Sequence, residues 1–352
     1  MNILKTLLKG NEAVGHGALL AGCKAFFGYP ITPQNEIPEF MAKMMPKNEG
    51  VYVQAESEVA AINMLFGGAG AGVRSMTSSS SPGIALKQEG ITYIAGAEVP
   101  CVIVSISRSG PGLGGITPSQ ADYFQSTRGG GNGDYFVPVL TPNSAQELLD
   151  FTQKAFYLSD KYRTPVMVLA DGALGQMMEP VEIRKLDLET FDKTNIEANG
   201  EAGKRGKRNI VSSLYLVSEE LEAHNTKLEA KKNEIIKNEV AYEFYNMEKP
   251  EIVVCAYGVS SRIVMNAIDM LKKQGVEVGL VRPLLVNPFP YDVFQNLPDS
   301  VKSVMAIELS RGQMIQDVKL GVNGKYPVNF YGRCGGMIFD EDELVEAILK
   351  TR

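Results

Sequence analysis

Histidine is scarce in this sequence, and no apolar run is long. The 352 residues include two histidines, His16 and His224. This leaves little room for a histidine-based metal site or a Ser-His-Asp triad, so several common hydrolase mechanisms are excluded. No segment approaches the roughly 18 unbroken apolar residues that a membrane-spanning helix needs. The N-terminal stretch is too short for the apolar region of a secretory signal and lacks a small-residue cleavage pattern. We therefore expect a folded protein that is not inserted in a membrane.

Cysteine pairs are also absent. The four cysteines are scattered singly, with no Cys-x-x-Cys pair, so their spacing predicts neither a disulfide framework nor an iron–sulfur or zinc site. Each lies in an apolar or glycine-rich stretch, and we expect buried structural thiols at Cys23, Cys101, Cys255 and Cys334. This usage favours the reducing cytoplasm.

Neither sign of charge dominates. Lysine and arginine number 35 against 41 aspartates and glutamates, a formal net charge of −6. No basic block is long enough to attract nucleic acid, and we expect no such partner. With 44% hydrophobic and 22% charged residues, the chain can bury a large core, and its length predicts two domains.

The first half of the chain alternates short apolar runs with helix-like stretches. The runs that we interpret as strands are 25–27, 51–53, 73–77, 99–106 and 165–170. The segments between them are long enough for crossover helices, which is the pattern of a parallel α/β sheet.

The composition changes after Pro180. Residues 182–247 are rich in Lys, Glu and Asn. Apolar residues from Leu214 to Ile235, with His224 on the same stripe, recur at helical spacing and predict a long amphipathic helix, which either packs on its own chain or forms a coiled-coil seam. Strand-like and helix-like runs then return. We therefore predict an α/β domain over 1–195, a charged helical linker over 196–248 and a smaller α/β domain over 249–352.

Two glycine-rich stretches invite a nucleotide-binding interpretation. The stretch 67–72 lies where a helix should end, and not between a strand and a helix as a dinucleotide fingerprint requires. The stretch 110–115 follows a strand but contains no Gly-Lys-Ser/Thr, which excludes a P-loop. Neither stretch indicates a nucleotide site.

Three side chains stand out by their position after predicted strands. Two prolines stiffen the loop 28–33, which presents Thr32 where ligands bind in open α/β sheets. Arg108 follows the 99–106 run, where a guanidinium suits a carboxylate ligand. A structural turn and a surface ion pair are the alternatives. Glu58 falls in a first helical turn, where Glu is ordinarily a surface residue. Ser81 as the N-cap and Pro82 at the first helical position predict the start of a helix. The backbone amides there either only take part in capping or hold an anion.

These motifs together resemble those of the 2-oxoacid:ferredoxin oxidoreductases. The segments are KGNEA at 9–13, GYPITPQNEIPE at 28–39, QAESEVAAINM at 54–64 and TSSSSPGIALKQEG at 77–90, continued by 111–125, 129–135 and 171–182. The resemblance is dense over 1–182 and looser over 255–308. It implies a thiamine diphosphate pyrimidine-binding domain followed by a domain similar to the transketolase C-terminal domain.

The resemblance also implies roles for individual residues. Glu58 matches the family's glutamate that bonds the cofactor's aminopyrimidine, with Pro30 and Ile31 as further cofactor contacts. A buried carboxyl suits that proton exchange, because burial raises its pKa. Thr32 and Arg108 match positions that contact the 2-oxoacid carboxylate, and Tyr29 lies beside them.

Partner subunits follow from what the chain lacks. Thiamine enzymes hold Mg²⁺ and diphosphate with Gly-Asp-Gly and a later Asn-Asn, and the near match here, 170–172, has no Asn-Asn after it. The resemblance therefore implies a diphosphate-binding subunit that carries Mg²⁺, together with gamma-type and ferredoxin-like subunits, iron–sulfur clusters on the partners, and ferredoxin and coenzyme A as reactants. Within the family the sequence is most similar to the 3-methyl-2-oxobutanoate enzymes. The 2-oxoglutarate enzymes are an alternative, as are a self-contained transketolase-type enzyme and a non-catalytic scaffold subunit.

Overall fold

The computed structural model describes residues 5–200 and 206–352. In the first half these residues form the strands β1 (Thr6–Lys9), β2 (Ala25–Gly28), β3 (Val51–Gln54), β4 (Ser75–Ser79), β5 (Cys101–Ser107), β6 (Val139–Leu140), β7 (Pro165–Asp171) and β8 (Met178–Val181). Between them lie the helices α1 (Gly10–Leu20), α2 (Glu36–Met44), α3 (Glu58–Gly70), α4 (Ser81–Gly96), α5 (Tyr123–Thr127), α6 (Ala145–Tyr162) and α7 (Gly172–Gln176).

The second half begins with a long helix. The elements are α8 (Ser218–Glu239), β9 (Tyr242–Tyr245), β10 (Ile252–Cys255), α9 (Gly258–Lys273), β11 (Val278–Pro283), β12 (Leu285–Asn287), β13 (Ser303–Glu308), α10 (Met314–Val322), β14 (Val328–Gly332) and α11 (Glu341–Leu349). Short 3-10 turns cover Pro46–Asn48 and Tyr291–Gln295. Within the described ranges, no helix is both long enough and apolar enough to cross a membrane.

The strands form two α/β sheets and one antiparallel arm. The first sheet has the order β12-β6-β7-β5-β4-β2-β3, and all its neighbours are parallel except β12, which pairs antiparallel with β6. The second has the order β14-β13-β10-β11-β9, with β9 antiparallel. The arm pairs β1 with β8. The parallel α/β architecture predicted from the sequence is confirmed.

The predicted strands are present, with small shifts at their ends. The strand predicted to begin at 73 begins at Ser75, because the carbonyl of Arg74 already bonds two amides at the entry to β2, those of Lys24 and Ala25. Every residue of β5 and β7 is buried, as expected for central strands that are covered on both faces. Strands β1, β6, β8, β9 and β12 were not predicted.

Helix α8 begins later than the apolar stripe suggests. Leu214 and Val217 precede its first residue, and Leu214 is exposed. The helix packs on its own chain, since His224 Nε2 lies 2.7 Å from the Gly96 carbonyl oxygen and Lys161 Nζ lies 2.7 Å from Glu239 Oε1. The coiled-coil alternative is not needed to explain its apolar residues.

One glutamine connects the two α/β units. The side chain of Gln120, which is 3% exposed, donates to the Tyr257 carbonyl oxygen at 2.8 Å. Its Oε1 accepts from Ser260 Oγ at 2.5 Å and from the Leu309 amide at 2.9 Å. Because all three partners lie in the second unit, Gln120 holds the segment after β5 against it.

Candidate functional site

The candidate site lies at the carboxyl edge of the first sheet. Strands β2, β4 and β5 run parallel, so the segments that follow them meet at the same edge. The segment after β2 carries Thr32, the one after β4 opens α4, and Arg108 directly follows β5. Glu58 reaches this edge from the start of α3.

Glu58 is buried against the first turn of α4. Ser57 is the N-cap of α3, where its Oγ accepts from the Ala60 amide at 3.2 Å, and this places Glu58 at the first helical position. The glutamate is 6% exposed. A Cβ on Gly83 would lie 2.8 Å from Glu58 Oε1 and 2.1 Å from Ser79 Oγ. The carboxyl therefore occupies space that any side chain at position 83 would fill.

The polar atoms around this carboxyl have unused hydrogen-bonding capacity. Among residues 5–200 and 206–352, no group donates a hydrogen bond to the Glu58 carboxyl, and the buried Ser79 Oγ has no partner. Buried polar groups are normally paired. A carboxyl and a hydroxyl left open side by side fit a ligand that presents ring nitrogens, as an aminopyrimidine does.

The structure joins Thr32 and Arg108 directly. The guanidinium of Arg108 donates to the Thr32 carbonyl oxygen at 3.0 Å and to the Leu113 carbonyl oxygen at 3.3 Å. Its Nε is buried and has no hydrogen-bond partner in the described part of the chain. The arginine is 9% exposed and directly follows β5, whose carboxyl end lies at the edge that Glu58 reaches. A carboxylate ligand would satisfy this donor.

Ser81 connects Arg108 to the first turn of α4. Its Oγ accepts from the Arg108 amide at 2.9 Å and donates to Asp122 Oδ2 at 2.5 Å. The predicted helix start is therefore wrong by one residue. Ser80 is the N-cap and Pro82 is the second helical residue, because the Ser81 hydroxyl bonds Arg108 and Asp122 and does not cap the helix. Burial raises the pKa of Asp122, partly opposed by its bond from Ser81.

Gln34, which sequence reasoning missed, holds the loop after β2. The residue is fully buried, and its side chain donates to the Tyr29 carbonyl oxygen at 3.2 Å and accepts from Ser78 Oγ at 2.5 Å. Its amide donates to the Ile31 carbonyl oxygen at 3.1 Å. Tyr29 and Ile31 are half-buried, and Pro30 is exposed. Gln34 thus fixes the loop from its buried side. The three predicted contact residues, Tyr29, Pro30 and Ile31, are partly or fully exposed.

Lys87 is a second residue that the sequence analysis did not single out. It is fully buried, with Nζ 3.2 Å from Thr77 Oγ1 and 3.4 Å from the Glu58 carbonyl oxygen. Burial lowers its pKa to about 8, partly opposed by the negative charge of Glu58. The signal was its place four residues after Gly83, which puts both on one face of α4.

Three of the four predicted buried thiols are confirmed, and one prediction is wrong. Cys23, Cys101 and Cys255 are buried, whereas Cys334 is exposed. Cys334 follows β14 in a glycine turn, with Gly335 at φ +67° and Gly336 at φ +87°. Cys334 therefore lies beside a surface turn, where its side chain is exposed.

Family models match both units of this fold. Residues 16–249 match the pyruvate flavodoxin/ferredoxin oxidoreductase, thiamine diphosphate-binding family. The chain belongs to the 2-oxoacid:ferredoxin oxidoreductase family. Residues 250–344 match pyruvate:ferredoxin oxidoreductase core domain II. The family and the thiamine diphosphate-binding domain predicted from sequence motifs are confirmed.

Relatives of known activity extend over nearly all of this oxidoreductase chain. It is 45% identical to ketoisovalerate oxidoreductase subunit VorB of Methanothermobacter marburgensis, over 97% of this chain and 96% of the relative. It is 34% identical to 2-oxoglutarate synthase subunit KorA of Methanocaldococcus jannaschii, over 97% and 98% of the two chains.

A solved structure shares the fold. The 2-oxoglutarate:ferredoxin oxidoreductase of Magnetococcus marinus, with 2-oxoglutarate, coenzyme A and succinyl-CoA bound, superposes with a TM-score of 0.88 at 27% identity. The match covers 98% of this chain and 65% of that one. The present chain therefore spans about two thirds of the length of that protein.

Gly83→Ala is expected to weaken thiamine diphosphate binding by about tenfold or more, which corresponds to about 1.4 kcal/mol. The added methyl group would displace Ser79 Oγ and the Glu58 carboxyl from the positions that they share. The dissociation constant of the cofactor from the assembled enzyme, measured by calorimetry, tests this. Gly67→Ala is the matched control, because a Cβ on this helical glycine meets nothing within 4 Å. Equal affinities of the two variants would contradict the prediction.

Proposed function

We propose that this chain is the pyrimidine-binding subunit of a thiamine diphosphate-dependent oxidoreductase that decarboxylates 3-methyl-2-oxobutanoate, forms the acyl-CoA and CO₂, and passes the electrons to ferredoxin. The 45% identity to a ketoisovalerate oxidoreductase subunit supports the substrate. The observation that carries the proposal is the open Glu58 carboxyl at the sheet edge that also holds the unpartnered Nε of Arg108.

Glu58 is proposed to act on the cofactor's aminopyrimidine. Bound thiamine diphosphate supplies the carbanion chemistry that releases CO₂ from a 2-oxoacid. The Glu58 carboxyl would hold and exchange a proton at the pyrimidine ring nitrogen, and its burial excludes water from that hydrogen bond. Pro30 and Ile31, in the loop after β2, are proposed to contact the pyrimidine from the side of that loop.

Arg108 is proposed to bind the carboxylate of the 2-oxoacid. Its two terminal nitrogens already bond the Thr32 and Leu113 carbonyl oxygens, so the guanidinium plane is held in place before substrate arrives. The open Nε and the Thr32 side chain then position the carboxylate, with Tyr29 beside them. A prearranged cation of this kind costs little reorganisation on binding.

The remaining parts of the enzyme are assigned to other subunits. The sequence lacks Gly-Asp-Gly followed by Asn-Asn, and it lacks a cysteine cluster. We assign Mg²⁺ and the cofactor's diphosphate to a diphosphate-binding subunit and the iron–sulfur clusters to partner subunits, and we expect gamma-type and ferredoxin-like subunits in the complex. The relatives support this assignment, since they are themselves named as subunits. We place the enzyme in the cytoplasm.

A 2-oxoglutarate substrate is the second candidate. The 34% identity to a 2-oxoglutarate synthase subunit and the superposition on a 2-oxoglutarate enzyme favour it. A second carboxylate would require a second cation at the far end of the pocket, whereas a branched aliphatic chain requires an apolar wall. The two acids therefore differ in the group that they place beyond Arg108.

Parallel assays with the two acids test the proposed function. The complex is purified anaerobically with its own partner subunits, and coenzyme A-dependent reduction of a viologen dye is measured with 3-methyl-2-oxobutanoate and with 2-oxoglutarate. We expect kcat/KM for the branched acid to be at least about tenfold higher, which is the discrimination that one apolar pocket provides. A preference for 2-oxoglutarate would show that the proposed substrate is wrong and that 2-oxoglutarate is the substrate. No reduction of the dye with either acid would favour a non-catalytic scaffold subunit.

Glu58→Gln is expected to lower kcat by about 100-fold or more, the usual contribution of a positioned proton-transfer group. The amide keeps the shape of the side chain but cannot exchange the proton, so the complex should still assemble, as size-exclusion chromatography would show. Glu56→Gln removes an exposed carboxylate two residues earlier and serves as the control. If both variants turn over at the parental rate, Glu58 is not the group that acts on the cofactor.

Arg108→Ala is expected to raise the KM for the 2-oxoacid about tenfold or more, because a charge-assisted hydrogen bond contributes about 1.5–3 kcal/mol. Initial rates over a range of 2-oxoacid concentrations, at saturating coenzyme A, give this value. Arg208→Ala removes an exposed arginine and is the control. An unchanged KM in Arg108→Ala would make Arg108 a structural residue.

A further inference from the structure

Lys87 is a fully buried lysine whose Nζ lies 3.4 Å from the backbone carbonyl oxygen of Glu58. Thr77 and Ser79 share one face of β4, and Gly83 and Lys87 share one face of α4. The Glu58 carboxyl and Ser79 Oγ both lie next to Gly83, whereas Lys87 lies against Thr77 Oγ1 and the Glu58 backbone carbonyl oxygen. The Lys87 amine therefore lies one helical turn further along α4 than the glycine against which the Glu58 carboxyl packs.

The Lys87 amine is held in a single position. Its Nζ donates to Thr77 Oγ1, and the Thr77 hydroxyl in turn donates to the Phe27 carbonyl oxygen at 2.6 Å. Its second bond goes to the Glu58 carbonyl oxygen, at the first turn of α3. These contacts connect β2, β4 and α3 through one side chain.

No described carboxylate forms an ion pair with this buried amine. Helix α4 packs against α3, β5 and β7, which carry Glu58, Cys101 and Asp171, and its side chains also bond Asp122 and Tyr135. Of these, Glu58 is the group whose charge acts on Lys87. Glu89, on α4 itself, is exposed and accepts from the Tyr93 hydroxyl at 2.7 Å.

The elements that pack on α3, the helix that begins with Glu58, carry few charged side chains. Helix α3 packs against β2, β4 and α4. The described residues of β2 and β4 carry no titratable group, since their sequences are AFFG and SMTSS. At the start of α4, Ser81 bonds both Asp122 and Arg108, two groups of opposite charge. Lys87 is the buried cation of α4 that contacts Glu58 itself.

We propose that Lys87 is a positioning residue for Glu58: it fixes the first turn of α3 and places a buried positive charge beside Glu58, which stabilises the negative charge that remains when Glu58 and the cofactor's pyrimidine ring lose their shared proton. This inference rests on the proposed function. The pKa of about 8 that burial gives Lys87 leaves it mostly charged at neutral pH. Burying an ammonium group without a carboxylate partner opposes folding, so Lys87 is poorly suited to a purely structural role.

The sign of the effect follows from charge. When the pair of Glu58 and the pyrimidine nitrogen loses its shared proton, a net negative charge remains, and a neighbouring cation stabilises that charge. Removing the cation makes the pair keep its proton to higher pH. Lys87→Met should therefore raise the pH midpoint of the bound pyrimidine's titration by about one unit.

The experiment is a pH titration of the assembled complex with thiamine diphosphate bound, followed by the circular dichroism of the bound aminopyrimidine below about pH 8, where Lys87 is charged. Lys87→Met and Lys87→Gln are compared with the parent and with Lys43→Met, which removes an exposed lysine. Methionine matches the length of the side chain without charge. Glutamine is also neutral but can still donate hydrogen bonds, so it separates charge from hydrogen bonding.

We expect both Lys87 variants to raise the midpoint and Lys43→Met to leave it unchanged. Unchanged midpoints would overturn the inference, as would a parental midpoint in Lys87→Gln alone, since that would assign the effect to hydrogen bonding. If Lys87→Met fails to fold, Lys87→Gln decides. Glu58→Gln should abolish the pH titration of the bound pyrimidine. If the titration persists in that variant, the proposed role of Glu58 is wrong, and this result is distinct from a failure of the Lys87 inference.

Discussion

Glu58 can lie against the first turn of α4 only because position 83 carries no side chain. A Cβ there would meet Glu58 Oε1 and Ser79 Oγ well inside contact distance. This close approach brings the start of α3 to the edge where β2, β4 and β5 end. The other site residues then follow from the parallel order of those strands, since Thr32 and Arg108 each come directly after a strand or in its loop. The position of the Glu58 carboxyl thus depends on the absence of a side chain at position 83, and the positions of Thr32 and Arg108 depend on the order of the strands.

The site is also held by hydrogen bonds between side chains and the backbone. Gln34 fixes the loop after β2, Ser81 fixes the Arg108 amide, and two carbonyl oxygens hold the Arg108 guanidinium. These bonds do not neutralise any ionised group at the site. The charges of Glu58 and Arg108 therefore remain available to a ligand, while their positions are fixed before the ligand arrives.

Sequence patterns predicted the central strands well and the peripheral ones poorly. Strands β5 and β7 are continuous apolar runs, which buried parallel strands require. Strands β6 and β12 have two and three residues and pair with each other across more than a hundred positions, so no local pattern marks them. The positions of Thr32 and Arg108 were predicted because ligand sites in α/β sheets follow strand ends. Lys87 was missed because a lysine on a helix is usually solvated, and its burial depends on how α3 packs on α4.

The antiparallel pairing of β12 with β6 places a strand from the second half of the chain at the outer edge of the first sheet. Family models divide the chain after residue 249, before β12. A fragment cut at that division would leave the edge of β6 with unpaired backbone donors and acceptors, which is a template for aggregation. The boundary between the two family models is thus not a suitable place to divide the protein for separate expression of its halves or for a gene fusion. The two halves should be produced as one chain.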